Sequence, residues 1–382
     1  MAEFCKKKKV AMLKIDIRDL KDARNRFYLL SILIAVTLPF SVRLNGLAII
    51  LITLNALTLS NWKAKLQEIK TNKVALFFLL FYVLHVVSLA YTKNTHNALR
   101  DLETKIAFFI FPLVLVGNKF VDRSFVERVL LYFSWSCFIA AAVCMANALF
   151  WLSKGDSSYM FYHQLGYPLD IHAVYFSLYI SVAFFVQLTF LQVNWPRLQL
   201  IAKVALISVV VFFLFFLLLL SSKTILIVFF MLLAFWLGRL LFRLKPIWIG
   251  LASLTALILF FFLSVQLVPN IEKRFEDVLY DDFDQTNPLA LEDYQGYHFT
   301  GWNIRLAIWK ICVQEVTREK AWLLGVGPGD SQDVLTESYV QKHIYPGDEI
   351  HEGFIHYNAH NQFFQYNLSV GNRLLSISHR RR

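Results

Sequence analysis

The stretch that decides the fold is VALISVVVFFLFFLLLLSSKTILIVFFMLLAFWLG, residues 204–238. Nearly every side chain in it is apolar, and the main interruption is the tetrapeptide SSKT. A single helix of this length would measure roughly 50 Å, whereas the hydrocarbon core of a bilayer is about 30 Å thick. The stretch therefore predicts two membrane spans that meet in a tight hairpin at Ser221–Lys223.

The rest of the chain shares this apolar character. Of its 382 residues, 57% are hydrophobic and only 17% are charged, and Phe alone occurs 36 times. Soluble globular domains carry more charge and less Phe. We therefore expect an all-α polytopic membrane protein with about nine to ten transmembrane helices. The apolar segments before the last third are 27–42, 44–60, 74–91, 102–118, 127–152, 171–193, 203–221, 224–242 and 247–268.

The distribution of Lys and Arg predicts which ends of the spans face the cytoplasm. With residues 1–26 placed inside, the inner loops hold 21 Lys and Arg, whereas the short outer loops hold six. Basic residues collect in the cytoplasmic loops of membrane proteins. The net charge of +11 is therefore interpreted as a topology signal, and we expect membrane lipids and no nucleic acid as its partners.

The same topology divides the chain into four regions. A basic cytoplasmic N-terminus covers 1–26, a transmembrane bundle covers 27–268, a large extracytoplasmic loop domain covers 269–359, and 360–382 begin a tenth helix. The loop is acidic, with 16 Asp and Glu against seven Lys and Arg. One amphipathic helix is predicted in it, from apolar residues at helical spacing. These residues are Trp302, Leu306, Trp309, Val313 and Val316.

Two lysines lie where apolar segments begin, and charge at membrane depth suggests function. Lys105 follows Glu103 at the start of the fourth predicted span, and snorkelling of Lys105 to the interface is an equal alternative. Lys223 follows Ser221 and Ser222 at the outer tip of the turn, against the positive-inside trend. Such a lysine is ordinarily an interfacial anchor, and the functional alternative is that it holds a lipid phosphate.

The predicted loop domain adds an arginine and a glycine-rich segment. Arg305 lies four residues before Trp309, on the same helix face, so either its stem packs on the indole or its guanidinium binds an anionic headgroup. The segment LLGVGPGD, residues 323–330, lacks the Gly-Lys-Ser/Thr of a phosphate-binding loop. It is therefore interpreted as a turn.

Histidines near the end of the loop raise two further hypotheses. His356 and His360 have the spacing of metal ligands on a helix, but no third ligand stands nearby, so we predict neither a metal nor a cofactor. His360 stands where the polar loop meets FFQY, residues 363–366. Its pKa there can be set for a general base, and an interfacial histidine is the alternative. Chemistry alone does not choose between these two roles.

Taken in order, the motifs resemble the O-antigen ligase and polymerase family of polysaccharide membrane enzymes. The resemblance is carried by R-x-x-x-W at 305–309, GVGPG at 325–329 and AHNQFFQ at 359–365, all late in the chain. Three earlier segments look like the same family, so the likeness runs from about residue 100 to 370. They are LETKIAFFIFPLVL at 102–115, IHAVYFSLYI at 171–180 and LLLSSKTILI at 218–227.

The resemblance implies a metal-independent glycosyltransferase of the bacterial inner membrane. A ligase of this family moves a glycan from undecaprenyl diphosphate to a lipid A–core hydroxyl at the periplasmic face, and a polymerase moves it to another glycan. By resemblance His360 is the catalytic residue. The proposed ligands of the donor diphosphate are Lys223, Arg305 and Lys105, and the supporting residues are Asn361, Ser222 and Trp309. Many relatives have Arg in place of Lys223, and Lys offers a point charge instead of a bidentate fork.

Two expectations concern other interpretations of the chain. A polytopic transporter is the alternative of another class, although its charges would lie near mid-span in matched halves. The last segment, RLLSISHRRR at 373–382, brings four Arg after about ten residues, too few for a tenth span. We expect a truncated or frameshifted form in preference to a natural short one, and an enzyme impaired by the loss of spans that would brace His360.

Overall fold

The structure is a computed structural model, and the secondary-structure elements of its described residues are helices. Several predicted segments lie outside the described residues, among them the ninth span and the C-terminal arginines. The described residues are 22–59, 62–118, 120–241, 287–299, 302–347 and 353–371.

Helices cover most of each predicted apolar segment up to residue 241. The helices before residue 242 are α1 Ala23–Thr37, α2 Val42–Leu59, α3 Trp62–Thr71, α4 Lys73–Ser88, α5 Thr95–Lys105, α6 Ala107–Leu115, α7 Arg123–Ser153, α8 Tyr162–Gly166, α9 Ala173–Asn194, α10 Leu200–Leu220 and α11 Lys223–Leu241. Those after residue 286 are α12 Asn303–Arg318, α13 Ser331–Gln341 and α14 Gln362–Val370.

Among the described helices, α7, α9 and α10 are each long and apolar enough to cross a membrane. The number rises to as many as four if a pair of helices separated by a short break is counted as one span. The chain is therefore a multi-pass membrane protein. The fourth predicted segment is not one continuous helix, because α5 ends at Lys105 and α6 has only nine residues. At 1.5 Å per residue, α6 is about 14 Å long and does not cross a bilayer by itself.

The chain divides into two compact units. Unit 1 comprises residues 1–60 and 118–275, and unit 2 comprises 61–117 and 276–382. In unit 1, α9 packs against both α7 and α10, where small buried side chains let the helices approach closely. The Ser134 hydroxyl of α7 donates a hydrogen bond to the carbonyl of Ala183 in α9, at 3.0 Å. Such interhelical hydrogen bonds supplement van der Waals packing between membrane helices.

The predicted break between the two spans at residue 221 is present. Ser221 ends α10 in the left-handed conformation, with φ 43°, and α11 starts at Lys223. The prediction of a tight hairpin is wrong, because α10 and α11 do not pack along each other over their described residues. Both helices pack against α9 instead. This arrangement buries the turn, so that Ser221 and Ser222 are only 1% and 3% exposed.

In unit 2 the predicted helix of the loop is present as α12, but its buried face differs from the predicted stripe. Trp302 lies just before the helix and is 47% exposed, and Val313 is 42% exposed. The smaller aliphatic side chains on the neighbouring face pack against α13 and α14, because they fit closer helix contacts than indole rings do. The buried apolar residues of α12 are Ile304, Ala307, Ile308, Ile311, Cys312 and Val316.

The glycine-rich segment is a turn, as predicted, and it joins distant parts of unit 2. The Val326 N–H donates to the carbonyl of Leu368 at 2.7 Å. A Cβ at Gly329 would overlap the Asn94 carbonyl, so only glycine allows this approach. The Asp330 carboxylate accepts hydrogen bonds from the backbone N–H groups of Lys93 and Asn94, at 2.8 and 2.7 Å. The turn therefore ties the loop that follows α4 to the segment that carries His360.

Candidate functional site

His360 lies in the loop before α14 with its side chain exposed. Its φ of 46° is in the left-handed region, which is costly for a residue with a side chain. Two contacts hold it there. Its N–H donates to Asn358 Oδ1 at 2.8 Å, and its ring meets Tyr357 edge-on at 4.9 Å between centroids. The imidazole is therefore presented to solvent from a defined backbone position.

Helices α12 and α14 hold the residue before His360 from two sides. Trp309 Nε1 donates to the carbonyl of Ala359 at 2.9 Å, and the Ala359 N–H donates to Gln365 Oε1 at 3.3 Å. The Trp309 ring also stacks on Phe364, with centroids 5.4 Å apart and planes 12° apart. Trp309 is therefore a positioning residue, because it holds both the loop before His360 and the helix after it.

Helix α13 holds the earlier part of the same loop. Gln332 Nε2 donates to the carbonyl of Tyr357 at 3.2 Å, and Thr336 Oγ1 donates to the carbonyl of Ile355 at 3.3 Å. These side chains take the place of the backbone partners that a regular helix or sheet would supply. Three helices thus determine the path of the chain into His360.

Burial lowers the pKa of the His360 imidazole below its usual value, and the positive charge of nearby Arg305 lowers it further. A lower pKa favours the neutral ring, which can accept a proton at neutral pH. Arg305 is itself exposed, one turn before Trp309 on α12. The structure therefore places the Arg305 guanidinium close enough to the His360 imidazole to affect its pKa.

Asn361 has a structural role that explains its place beside His360. Its side-chain oxygen accepts a hydrogen bond from the N–H of Phe363 at 2.9 Å and so caps the N-terminus of α14. Such a cap is ordinarily worth about 1 kcal/mol to a helix. The cap defines where the helix starts and hence where the loop of His360 ends.

Lys105 lies in another part of unit 2. Its ammonium pairs with Asp101 one turn earlier in α5, and its side chain is only 13% exposed. Glu103, its sequence neighbour, is exposed. The partner of Lys105 is thus Asp101, because residues four apart share a helix face and residues two apart do not.

Sequence reasoning missed His85, which the structure buries in α4 at 1% exposure. Its Nδ1 lies 2.8 Å from the carbonyl of Phe81, and its ring lies 5.6 Å from that of Tyr366 in α14. Tyr366 also stacks on Phe81, with centroids 5.3 Å apart. An ionisable residue within the apolar run of residues 74–91 was the signal that could have found it. His85 connects α4 with the helix that follows His360.

Lys223 and Ser222 belong to unit 1. Lys223 is the half-buried first residue of α11, and the carbonyl of Ser222 accepts from the N–H of Leu226 at 2.9 Å. A lysine at a helix N-terminus adds to the positive end of the helix dipole, and both favour an anion nearby. The structure thus brings His360, Arg305, Trp309 and Asn361 together, with Lys105 elsewhere in their unit and Lys223 in the other.

His356 and His360 do not lie on one helix. The chain from 353 to 361 is a loop, and α14 begins at Gln362. Among the described residues, no group of three or more His, Cys, Asp or Glu is placed to hold a metal ion.

Comparison with known proteins identifies one domain. Residues 207–372 match a family model described as O-Antigen ligase. No curated protein and no solved structure matches the chain. The matched range begins within α10 and includes Lys223, Arg305 and His360.

Proposed function

We propose that this chain transfers a glycan from undecaprenyl diphosphate to a lipid A–core hydroxyl, because residues 207–372 match a family model described as O-Antigen ligase. The reaction would take place at the periplasmic face of the bacterial inner membrane, with the N-terminus in the cytoplasm. The observation that carries this proposal is His360 beside Arg305, an exposed imidazole of lowered pKa held by three helices.

In this mechanism His360 is the general base. Its neutral imidazole takes the proton of the acceptor hydroxyl as the hydroxyl oxygen forms a bond to the anomeric carbon. The bond from that carbon to the diphosphate oxygen breaks, and its electron pair leaves with the lipid diphosphate. Direct displacement of this kind inverts the anomeric configuration.

Negative charge grows on the diphosphate as it leaves, and cations stabilise it. Arg305, Lys223 and Lys105 are the candidates. Arg305 has a second effect, since an anion bound to it would offset the positive charge that lowers the pKa of His360. The base would then become stronger when the donor is bound. The family resemblance implies that these steps need no metal or cofactor, so transfer in the presence of a chelator is expected.

The direct test is transfer by the purified full-length chain from an undecaprenyl diphosphate-linked glycan. His360→Ala should lower the rate by at least about 10²-fold, the usual contribution of a general base. His356→Ala is the matched control, since His356 is exposed and lies four residues earlier. Normal transfer by His360→Ala would overturn the assignment.

The same residues would serve a polymerase, whose acceptor is another glycan repeat. Cells that carry His360→Ala separate the two activities. A ligase defect leaves lipid-linked glycan unattached, whereas a polymerase defect leaves chains of a single repeat. If the protein were a transporter, the variant cells would fail to export its solute. Neither the wild-type protein nor any variant would then transfer glycan in vitro.

A further inference from the structure

Unit 2 contains a cavity of about 1020 Å³ that the mechanism above does not use. It lies among residues 294–299, the C-terminal end of α13 and the loop that leads to His360. Pockets for ordinary small molecules have volumes of about 300–1,000 Å³. This cavity is therefore large enough for a ligand of several rings.

One side of the cavity is a panel of aromatic rings in mutual contact. Ring centroids are 5.0 Å apart between Tyr297 and Phe299, 5.7 Å between Phe299 and Phe354, and 6.3 Å between Tyr345 and Phe354. All four rings are half-buried and keep accessible surface, and Tyr297, Phe299 and Phe354 pack against the core of unit 2. Tyr294, at 2% exposure, anchors the panel through its hydroxyl, which donates to the carbonyl of Pro288 at 3.1 Å. The rings of the panel are thus already in contact with one another.

The polar groups of the cavity are uncharged or weakly basic. Gln295 and His298 are exposed at its rim, and His343 Nδ1 lies 3.0 Å from the Asp293 carboxylate. No Lys or Arg is found among the described lining residues, so the cavity does not suit a diphosphate or an anionic headgroup. An acyl chain could form no hydrogen bonds with these polar groups. A sugar suits both features, since its C–H face packs on an aromatic ring and its hydroxyls meet polar side chains.

The panel continues to His360. Phe354 meets Tyr357 edge-on at 5.2 Å, and Tyr357 meets His360 at 4.9 Å. We propose that this cavity is an extended carbohydrate subsite, which holds sugar units remote from the new bond while the reacting end of the same glycan lies at His360. This inference rests on the proposed function, and it assigns to the cavity a glycan chain as ligand.

Binding can be measured without chemistry, because a lipid-free glycan cannot act as donor. The probe is the oligosaccharide released by mild acid from the lipopolysaccharide of the cells that encode the chain. It is titrated into the full-length protein in lipid nanodiscs. Tyr297→Ala and Tyr345→Ala should each raise the Kd about tenfold or more, whereas Tyr297→Phe and Tyr345→Phe should stay within about threefold of wild type. Trp322→Ala, at an exposed ring that does not line the cavity, is the matched control.

Wild-type protein without saturable binding, or alanine variants with wild-type affinity, would overturn the subsite. Where a Tyr→Ala variant does not fold, Gln295→Ala and His298→Ala decide, since both side chains are exposed. Unchanged affinity in both would equally overturn it. If His360→Ala abolishes transfer while the cavity variants bind normally, only the subsite fails. If the cavity variants lose binding while the wild-type protein transfers no glycan, only the proposed function fails.

Discussion

Two turns of this protein place a non-glycine residue in the left-handed region, next to the residues proposed for chemistry. Ser221 has φ 43° before Lys223 in unit 1, and His360 has φ 46° before Asn361 in unit 2. Ser221 is 1% exposed within an apolar cluster, whereas His360 is exposed. The first turn is held by burial of the flanking leucines Leu220 and Leu226, and the second by hydrogen bonds from side chains of other helices.

The two turns depend on the sequence in different ways. A turn between apolar helices is defined by its own neighbours, because burial needs only enough apolar surface on each side. The His360 loop depends on partners far along the chain. Trp309 is 50 residues from Ala359, and Gln332 is 25 residues from Tyr357. Substitutions in unit 2 should therefore act at a distance, whereas those at the unit 1 turn should act locally.

The largest expected effect on stability is at Gly329. Gly329→Val should destabilise unit 2 by about 3 kcal/mol, because its side chain would overlap the Asn94 carbonyl. The thermal unfolding midpoint of the purified protein, followed by tryptophan fluorescence, measures the loss. Gly46→Ala in α2 is the control, since a Cβ added there would meet no other atom within 4 Å. Equal midpoints for the two variants would contradict the close backbone approach.

At the unit 1 turn, charge should matter more than packing. Lys223→Ala should lower the transfer rate about 10²-fold, the usual cost of losing one group that stabilises a developing anion. Lys223→Arg should keep or improve activity, because Arg offers a bidentate fork to a diphosphate. Lys154→Ala serves as control, since the Lys154 ammonium lies 4.3 Å from the Phe150 ring centroid. Equal loss in the Arg and Ala variants would argue against a phosphate role.

In the His360 loop, one hydrogen bond can be removed with little change in shape. Trp309→Phe deletes the Nε1 donor to Ala359 and keeps an aromatic ring beside Phe364. We expect kcat to fall about tenfold with KM nearly unchanged, because the base moves while the substrate contacts remain. Trp322→Phe is the matched control at an exposed indole. A rise in KM with kcat unchanged would assign Trp309 to substrate binding instead.

The smallest expected effect is electrostatic. Arg305→Gln removes a positive charge that lowers the pKa of His360, so that pKa should rise. Histidine-selective NMR titration of the full-length protein in micelles measures the shift directly. The acidic limb of the plot of activity against pH should move to higher pH. With a raised pKa, His360 takes up its proton at a higher pH as the solution is acidified. Lys320→Gln, at another exposed cation of unit 2, should leave the titration unchanged.

The membrane character, the helical class and the break at Ser221 could be predicted from the sequence. Each of these depends on local hydrophobicity and segment length, which can be read without knowing any partner. The sequence also predicted α12 as a helix and residues 323–330 as a turn. The family resemblance singled out His360, Arg305 and Trp309, and residues 207–372 match the O-Antigen ligase family.

Which helix faces are buried and which side chains meet depends on how the helices pack in three dimensions. The buried face of α12, the pairing of Lys105 with Asp101 and the burial of His85 each depend on neighbours distant in the chain or on the turn of a particular helix. The same holds for the clamp of Trp309 and Gln365 on Ala359 and for the aromatic panel that leads to His360. Such contacts are pairwise and geometric, so they arise when the helices pack and no periodicity in the sequence specifies them.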